Sequence, residues 1–506
     1  MKFIDNFLNK ITMYRLVLYS LCAWIGIALI MSLFHLMPFT PQALLFTTAV
    51  LLIVSWVTNR LFSIVWKTHA NVESFYITAL ILALLISPPQ AGQYLAIVPF
   101  LVWAAVLAIA SKFILAINKK HIFNPAALAI AVTAVAIGQS ATWWIGTLYM
   151  LPFVAIGGLL IVRKIRRFDM VASFAIVALI TIFATLAAGG VLSTLQKIFV
   201  ESPIVFFATV MLTEPLTAPP SRLRRIAYGA FVGFLFAPNI HIGSLYLTPE
   251  IALLVGNVFA WLMSPKAKYV LTLVSREKIA ADTGEFVFES DRPIPFKAGQ
   301  YLEWTLQHPR PDSRGNRRYF TIASSPTEKH VRLGVRFDGR HSSTFKKALA
   351  EMPEGSTIMA GQLSGDFVLP RDPDAKVAFI AGGIGVTPFR SMVGSMLDRN
   401  ERRDAVLIYS AKTLAELAYT EFFNDARERL GFRTAATLTD LNKVPADWQG
   451  HRGFLDAAMI AAEIPDYAER TFYISGPIGL VQAGKRVLKG MGIPRHHIRT
   501  DYFPGF

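Results

Sequence analysis

Apolar residues fall in long runs up to about Pro265 and in short alternating stretches beyond it. Ten runs lie near 16–35, 41–58, 73–89, 93–115, 124–138, 142–162, 169–189, 198–217, 225–240 and 247–264. Each approaches the roughly 20 residues that a bilayer-crossing helix needs. The fifth is short and opens at Pro125, and the eighth runs out into Pro215, Pro219 and Pro220. Interrupted spans are tolerated where their backbone is buried in protein or lines a site, so these two ends are marked for chemistry. From Tyr269 the period drops to two, which predicts strands at Tyr269–Val274, Glu285–Glu289, Tyr301–Leu306 and His330–Phe337 and a small antiparallel barrel up to about Pro370. The wholly apolar Val377–Ala381 predicts a buried parallel strand, and Ala405–Tyr409 and Thr471–Ile474 extend that sheet.

Charge turns the apolar runs into a topology. The 506 residues carry a formal net charge of +16, with 53% hydrophobic and 17% charged residues. Basic residues of the first half gather in every second loop: Lys2, Lys10 and Arg15; Arg60 and Lys67; Lys119 and Lys120; Arg163, Lys164, Arg166 and Arg167; Arg222, Arg224 and Arg225. The alternate loops hold a single Lys, so the positive-inside rule predicts both termini and the C-terminal half in the cytoplasm of a bacterial-type inner membrane. With no aromatic interleaving, this is a membrane pattern and not a nucleic-acid surface. No small-residue cleavage site follows the first run, which therefore reads as a retained helix and not a signal peptide.

One cysteine, Cys22, excludes an intrachain disulfide, a zinc site with several Cys ligands and a Cys-held iron–sulfur cluster. His35, His69, His121 and His241 each lie near a span end without a partner on the same helix, which argues against a transmembrane haem pair and its ferric-reductase chemistry. No metal ligand set emerges. A flavin remains the expected electron carrier.

The apolar strand at 377–381 runs into Gly382-Gly383-Ile384-Gly385-Val386-Thr387-Pro388 and a helical stretch from Phe389. Strand, glycine turn and helix start make a pyrophosphate site, because backbone N–H groups and the positive helix end both favour an anion. Upstream, Arg318-Tyr319-Phe320-Thr321 resembles the flavin signature of the ferredoxin–NADP reductase family. Gly339-Arg340-His341-Ser342-Ser343-Thr344 resembles that family's turn on the FAD phosphates, and Gly361 to Phe367 its segment joining the two lobes. Ser475-Gly476-Pro477 is similar to its Cys-Gly-Pro, with serine in place of cysteine, and Asp501-Tyr502-Phe503-Pro504-Gly505-Phe506 to its aromatic ending. The resemblance implies that Arg318 pairs the diphosphate, Phe320 packs on the isoalloxazine and Thr321 bonds near its reactive nitrogen. It also implies that Ser475 and Phe506 flank hydride transfer, and that Gly382, Gly383, Gly385, Thr387, Pro388, Gly476 and Pro477 hold NAD(P)H. After the second strand, Ser410-Ala411-Lys412-Thr413 lacks an arginine for a 2′-phosphate, although Lys412 could serve, which leans the reading slightly towards NADH.

In the first half, His121-Ile122-Phe123-Asn124-Pro125-Ala126-Ala127 opens the fifth run and Thr213-Glu214-Pro215-Leu216-Thr217-Ala218-Pro219-Pro220 closes the eighth, followed by Tyr228-Gly229. These resemble motifs of membrane subunits B and D of the sodium-pumping NADH:quinone reductase and the Rnf complex. Glu214 stands where that family has Asp. The resemblance implies FMN esterified to a Thr on the outer side; Gln139-Ser140-Ala141-Thr142 offers Thr142, although Ser140 replaces the motif's Gly.

The expected chain is multi-domain: an α-helical membrane bundle of about ten spans (1–264), an antiparallel β-barrel FAD domain (265–370) and an α/β NAD(P)-binding domain (371–506). It is expected to pass electrons from NAD(P)H through FAD, then FMN, to a quinone or an extracytoplasmic acceptor. The alternatives are a redox-driven ion-translocating unit and, behind it, a haem-type ferric reductase. Expected partners are the lipid bilayer, NAD(P)H and that acceptor, with room for other subunits and no role for nucleic acid.

Overall fold

The computed structural model describes residues 4, 7–8, 11–66, 72–117, 120–186, 190–200, 202–238, 240–243, 245–263, 267–309, 311–312, 315–337, 339 and 342–503. Lys2, Lys10, Lys67, His69, Lys119, Arg340, His341 and the ending Pro504-Gly505-Phe506 lie outside them. The chain divides into two compact units, Met1–Ala267 and Lys268–Phe506.

The first unit is helical: α1 Met13–Leu33, α2 Pro41–Val65, α3 Val72–Leu85, α4 Tyr94–Ile114, α5 Pro125–Ile137, α6 Leu151–Ile165, α7 Phe168–Leu186, α8 Val191–Val200, α9 Ile204–Met211, α10 Arg222–Leu235 and α11 Pro249–Met263. Every expected run thus contains a helix, but among the described residues only α1, α2, α4 and α7 are long and apolar enough to cross a membrane. The bent pair α8 and α9, meeting at 60°, makes a fifth if taken as one span. Local chemistry explains the shortening. The sixth run starts late because Thr142 and Trp143 fold back, both backbone N–H groups donating to Leu85 O. Asn124 caps α5 by accepting from the Ala127 N–H, and Pro125 takes the first helical turn, where no N–H is needed.

Gly229 and Gly233, four apart on α10, let that helix lie on α7. A Cβ on Gly229 would fall 2.4 Å from Met170 O, and one on Gly233 2.5 Å from Phe174 O. The interior carries polar residues among rings such as Trp24, Phe174, Phe206 and Phe207, while Ile53, Val135, Ile180 and Leu192 point outward.

The second unit opens with a six-stranded antiparallel sheet: β1 Tyr269–Ala280, β2 Thr283–Ser290, β3 Tyr301–Thr305, β4 Arg317–Thr321, β5 Val331–Arg336 and, after the short helix α12 Thr344–Ala350, β6 Thr357–Ser364. The order is β4-β3-β6-β1-β2-β5. The edges nearly meet, because the Ala323 N–H donates to Arg332 O at 2.9 Å just beyond β4.

An α/β sheet follows: β7 Val377–Gly382, α13 Thr387–Asp398, β8 Ala405–Ala411, α14 Thr420–Leu430, β9 Arg433–Leu438, β10 His451–Arg452, α15 Ala457–Glu463, β11 Thr471–Pro477, α16 Ile478–Gly490 and β12 Ile498–Phe503. The strands are parallel, in the order β10-β9-β8-β7-β11-β12. The chain moves outward from β7 through β10, then returns to add β11 on the other side. The switch point where open α/β sheets bind ligands therefore lies between the carboxyl ends of β7 and β11.

Candidate active site

The two motifs picked from the sequence meet at that switch point. β7 ends at Gly382, and residues Gly383–Val386 form a tight 3₁₀ turn into α13. Gly383 has φ +49°, a left-handed conformation that suits glycine. From β11, paired Ala381↔Ser475 with β7, the Ser475-Gly476-Pro477 turn reaches the same place. The backbones touch: a Cβ on Gly385 would fall 2.5 Å from Gly476 Cα and 2.6 Å from Ser475 O. Both helices that leave the turns, α13 and α16, start without a side-chain cap, and Pro388 lies in the first turn of α13. Two open helix N-termini on neighbouring strands present several backbone N–H groups, an arrangement suited to an anion. The Thr387 hydroxyl instead donates to Ile384 O at 3.1 Å and stabilises the turn.

On the barrel side, β4 alternates. Thr321 is buried and Tyr319 exposed, with the Tyr319 hydroxyl donating to Glu303 at 2.7 Å. Arg318 and Phe320 share the other face and both pack on Phe345 of α12, the guanidinium carbon 5.4 Å and the Phe320 ring 5.8 Å from its ring centre. Asp312 joins the two elements assigned to the diphosphate. Its carboxylate accepts from Arg318 Nη2 at 3.2 Å and from the Thr344 N–H at 3.2 Å. An arginine fork and a backbone N–H that share one carboxylate are also suited to phosphate oxygens. Ser343 caps α12, its hydroxyl accepting from the Lys346 N–H, and the Ser342 N–H donates to Gly339 O at 3.2 Å, with Gly339 at φ +52°. Thr344 Oγ1 lies 3.0 Å from His308 Nε2 and accepts the Asp312 N–H at 3.0 Å.

In the second unit two hydroxyls are left over among the described residues. Thr321 Oγ1 and Ser475 Oγ are buried and have no hydrogen-bond partner among the described residues. A buried hydroxyl without a partner costs stability, so unpartnered groups concentrate where a ligand supplies the missing bond. Sequence reading assigned these same two groups to the flavin and the nicotinamide, and the residues fit both cofactors on that count.

The lobes of the second unit are clamped by residues that no motif marks. Arg390 of α13 donates to Ala323 O at 3.1 Å, pairs with Glu328 and lies 4.8 Å from the Phe422 ring centre. The Ser391 hydroxyl donates to Ser324 O at 2.6 Å. Arg332 bridges Glu285 at 2.6 Å and Glu328 at 2.8 Å, and Tyr419 donates to Glu285 at 2.8 Å. Burial opposes the Arg332 cation, but the two carboxylates prevail and hold its pKa above the ordinary value. Burial, then the Glu285 charge, push the Tyr419 phenol well above its ordinary range, so it stays a neutral donor. Gly334 of β5 completes the clamp: a Cβ there would fall 2.7 Å from the Tyr419 hydroxyl and 2.9 Å from Thr387 Cγ2.

In the helical unit, Thr142 is exposed on its turn, with Oγ1 2.6 Å from Ser87 Oγ. Glu214 gathers the two expected motifs. It accepts from Asn124 Nδ2 at 3.0 Å and Thr217 Oγ1 at 3.2 Å, with His121 Nε2 at 3.5 Å. Asn257 accepts the Asn124 N–H at 2.8 Å and donates to the Tyr228 hydroxyl at 3.2 Å. A pocket lined by Lys112, His121, Asn124, Glu214 and apolar side chains of α1, α3, α6 and α9 opens beside them.

Residues 379–486 match the family of oxidoreductase NAD-binding domains. The reductase subunit of glycine betaine monooxygenase from Chromohalobacter salexigens is 30% identical over 228 residues, covering 44% of this chain and 60% of that protein. A flavohemoprotein from Bacillus thuringiensis is 26% identical over 221 residues, 41% of this chain and 53% of its own length. The chain therefore spans less than two thirds of these curated relatives. Among solved structures, an Amycolatopsis cytochrome P450 reductase aligns at TM-score 0.42 and 24% identity, over 47% of this chain and 70% of that one. The second unit is similar to ferredoxin–NADP reductase-type FAD/NAD modules.

Proposed function

We propose that the chain is a membrane-embedded NAD(P)H oxidoreductase. It takes hydride at the β7/β11 switch point, with FAD on the barrel, and passes electrons into the helical unit towards a quinone or extracytoplasmic acceptor. The observation that carries this reading is the convergence of the Gly382–Pro388 and Ser475–Pro477 turns, backbone against backbone, at the carboxyl ends of β7 and β11. In this reading Arg318, with Gly339 and Ser342–Thr344, holds the flavin diphosphate, while Phe320 packs on its ring and Thr321 donates to it. Gly382, Gly383, Gly385, Thr387 and Pro388 receive the diphosphate of NAD(P)H. Ser475, Gly476 and Pro477 orient the nicotinamide. FAD supplies the exchange between a two-electron hydride and single electrons. The protein's part is to place, orient and exclude water.

A bilayer around the helical unit is supported by its four long apolar helices, their outward apolar side chains and the alternating Lys and Arg loops. In that placement the termini and the reductase unit are cytoplasmic, and Thr142 lies on the outer side as the attachment point for FMN. The Glu214 cluster favours a second reading, in which redox drives an ion or a proton through the helical unit.

One preparation tests these points. The full chain, extracted from membranes, should release FAD on denaturation and leave a fluorescent flavin band on a denaturing gel that Thr142→Ala abolishes. A band that survives Thr142→Ala removes Thr142 as the attachment point, no band in the wild type removes covalent FMN, and either result leaves the reductase reading intact. Absence of FAD removes the reductase reading itself.

A further inference from the structure

One hydroxyl from the neighbouring strand holds the glycine turn. Tyr409 stands on β8 in register with Ala381 of β7 and is 2% exposed. Its hydroxyl lies 3.1 Å from the carbonyl of Gly383 and 3.1 Å from the backbone nitrogen of Ala418. A phenol has one proton to donate. Because it accepts the Ala418 N–H, that proton goes to Gly383 O, and the direction of both bonds is fixed. Burial raises the Tyr409 pKa above its ordinary value, which keeps the proton in place.

The consequence lies in the next peptide. The plane between Gly383 and Ile384 is trans, so its C=O and N–H leave opposite edges. With the carbonyl held against Tyr409, the Ile384 N–H faces away from it. Gly383, free of a Cβ and at φ +49°, is the place where this plane turns over at least cost. Turned over, it would present a carbonyl oxygen where an N–H had been, and an anion there would meet a negative dipole. A phenylalanine would fill the same apolar volume, so fixing the peptide is what the hydroxyl adds.

We infer that Tyr409 is a positioning residue for the dinucleotide: its hydroxyl locks the Gly383–Ile384 peptide with the N–H, and not the carbonyl, towards the diphosphate. This rests on the reading of the turn as the NAD(P)H site. The same hydroxyl ties down the segment ending at Ala418, so one group sets both loops at the carboxyl ends of β7 and β8.

The test compares two hydride donors on the flavin-loaded full chain with ferricyanide as acceptor: NADH, and 1-benzyl-1,4-dihydronicotinamide, which has the ring but no diphosphate. Tyr409→Phe should lower the ratio of kcat/KM for NADH to that for the short donor about five- to tenfold, the loss expected for one buried hydrogen bond. A merely structural role lowers both values and leaves the ratio unchanged, which would overturn the inference. Should Tyr409→Phe fail to fold, 4-fluorophenylalanine at 409 refills the volume without a donor. The same ratio then decides in the same direction. If the wild type oxidises the short donor but not NADH, the site reading itself fails, separately from this inference.

Discussion

A methyl group added at Gly385 has no space to occupy. Its carbon would lie 2.5 Å from Gly476 Cα, 2.6 Å from Gly476 N and 2.6 Å from Ser475 O. All three atoms are backbone, fixed by the Ala381↔Ser475 register of β7 and β11, so no side chain can swing aside. Ordinary contact between carbon atoms is about 3.5 Å, so the two turns must part by about 1 Å. Overpacking of this kind costs about 1–3 kcal/mol of stability. The functional cost should be larger, because a shift of about 1 Å at a hydride-transfer site is worth about 100-fold in rate. Gly385→Ala is therefore expected to keep its flavin, since the barrel residues are untouched, and to lose about 100-fold in kcat/KM for NADH with ferricyanide as acceptor. Gly490→Ala, at the far end of α16 with nothing within 4 Å of the added methyl, serves as control. A folded Gly385→Ala protein with wild-type kcat/KM would refute the reasoning, because the close approach of the turns would then be irrelevant to the reaction.

Further outcomes follow from the opposite end of the sheet and from the helical unit. Arg470 is 1% exposed and donates to Asp404, Asp466 and Val377 O, so Arg470→Met should cost about 3 kcal/mol in chemical denaturation of the second unit. The Arg470 hydrogen bond, against a smaller effect of burial, holds the Asp466 carboxyl down at about 2 from an ordinary 3.8. The folded pKa lies below the unfolded one, so this stabilisation is present above about pH 4 and is lost as pH falls through the folded value. Asp466→Asn should flatten that acid limb, and after solvent screening the effect at neutral pH should be no more than about 1 kcal/mol. Gly233→Leu, by forcing α10 off Phe174 O of α7, should abolish accumulation of the folded full chain, whereas Val135→Leu on an outward-facing position should not.

What could be read from the sequence was what depends on local pattern. Val377–Ala381 was legible as a buried strand because every residue of β7 is buried, and the glycines after it because the turn needs them. The barrel strands β1, β2, β3 and β5 showed their alternation. β4 did not, because Arg317, paired with Glu303, and Arg318, paired with Asp312, break the apolar period. β6 was hidden by Gly361 and by Gln362, whose φ of +52° accompanies a shift of register against β3. The edge strands β10 and β12, and β9 next to the edge, carry His451, Arg499 and Arg433 and take their register from a neighbour already in place. In the first half the runs located the helices but not their lengths. Those ends are set by distant groups, as where Leu85 O holds the 142–143 turn. Around the motif residues, the supporting side chains were not legible. Asp312, Tyr409, Arg390 and Tyr419 sit at no characteristic spacing, and only the folded chain brings them against Arg318, Gly383, Ala323 and Glu285.

The central claim is that this one chain binds a flavin at Arg318–Thr321 and reduces it with NAD(P)H received at the β7/β11 turns. Anaerobic mixing of the purified, flavin-containing full chain with one equivalent of NADH, followed at the flavin's visible band, measures this directly. The account predicts bleaching of the FAD band by hydride from NADH, and bleaching about 100-fold slower in Gly385→Ala at the same flavin content. A wild-type protein whose bound flavin stays oxidised in the presence of both NADH and NADPH would contradict it.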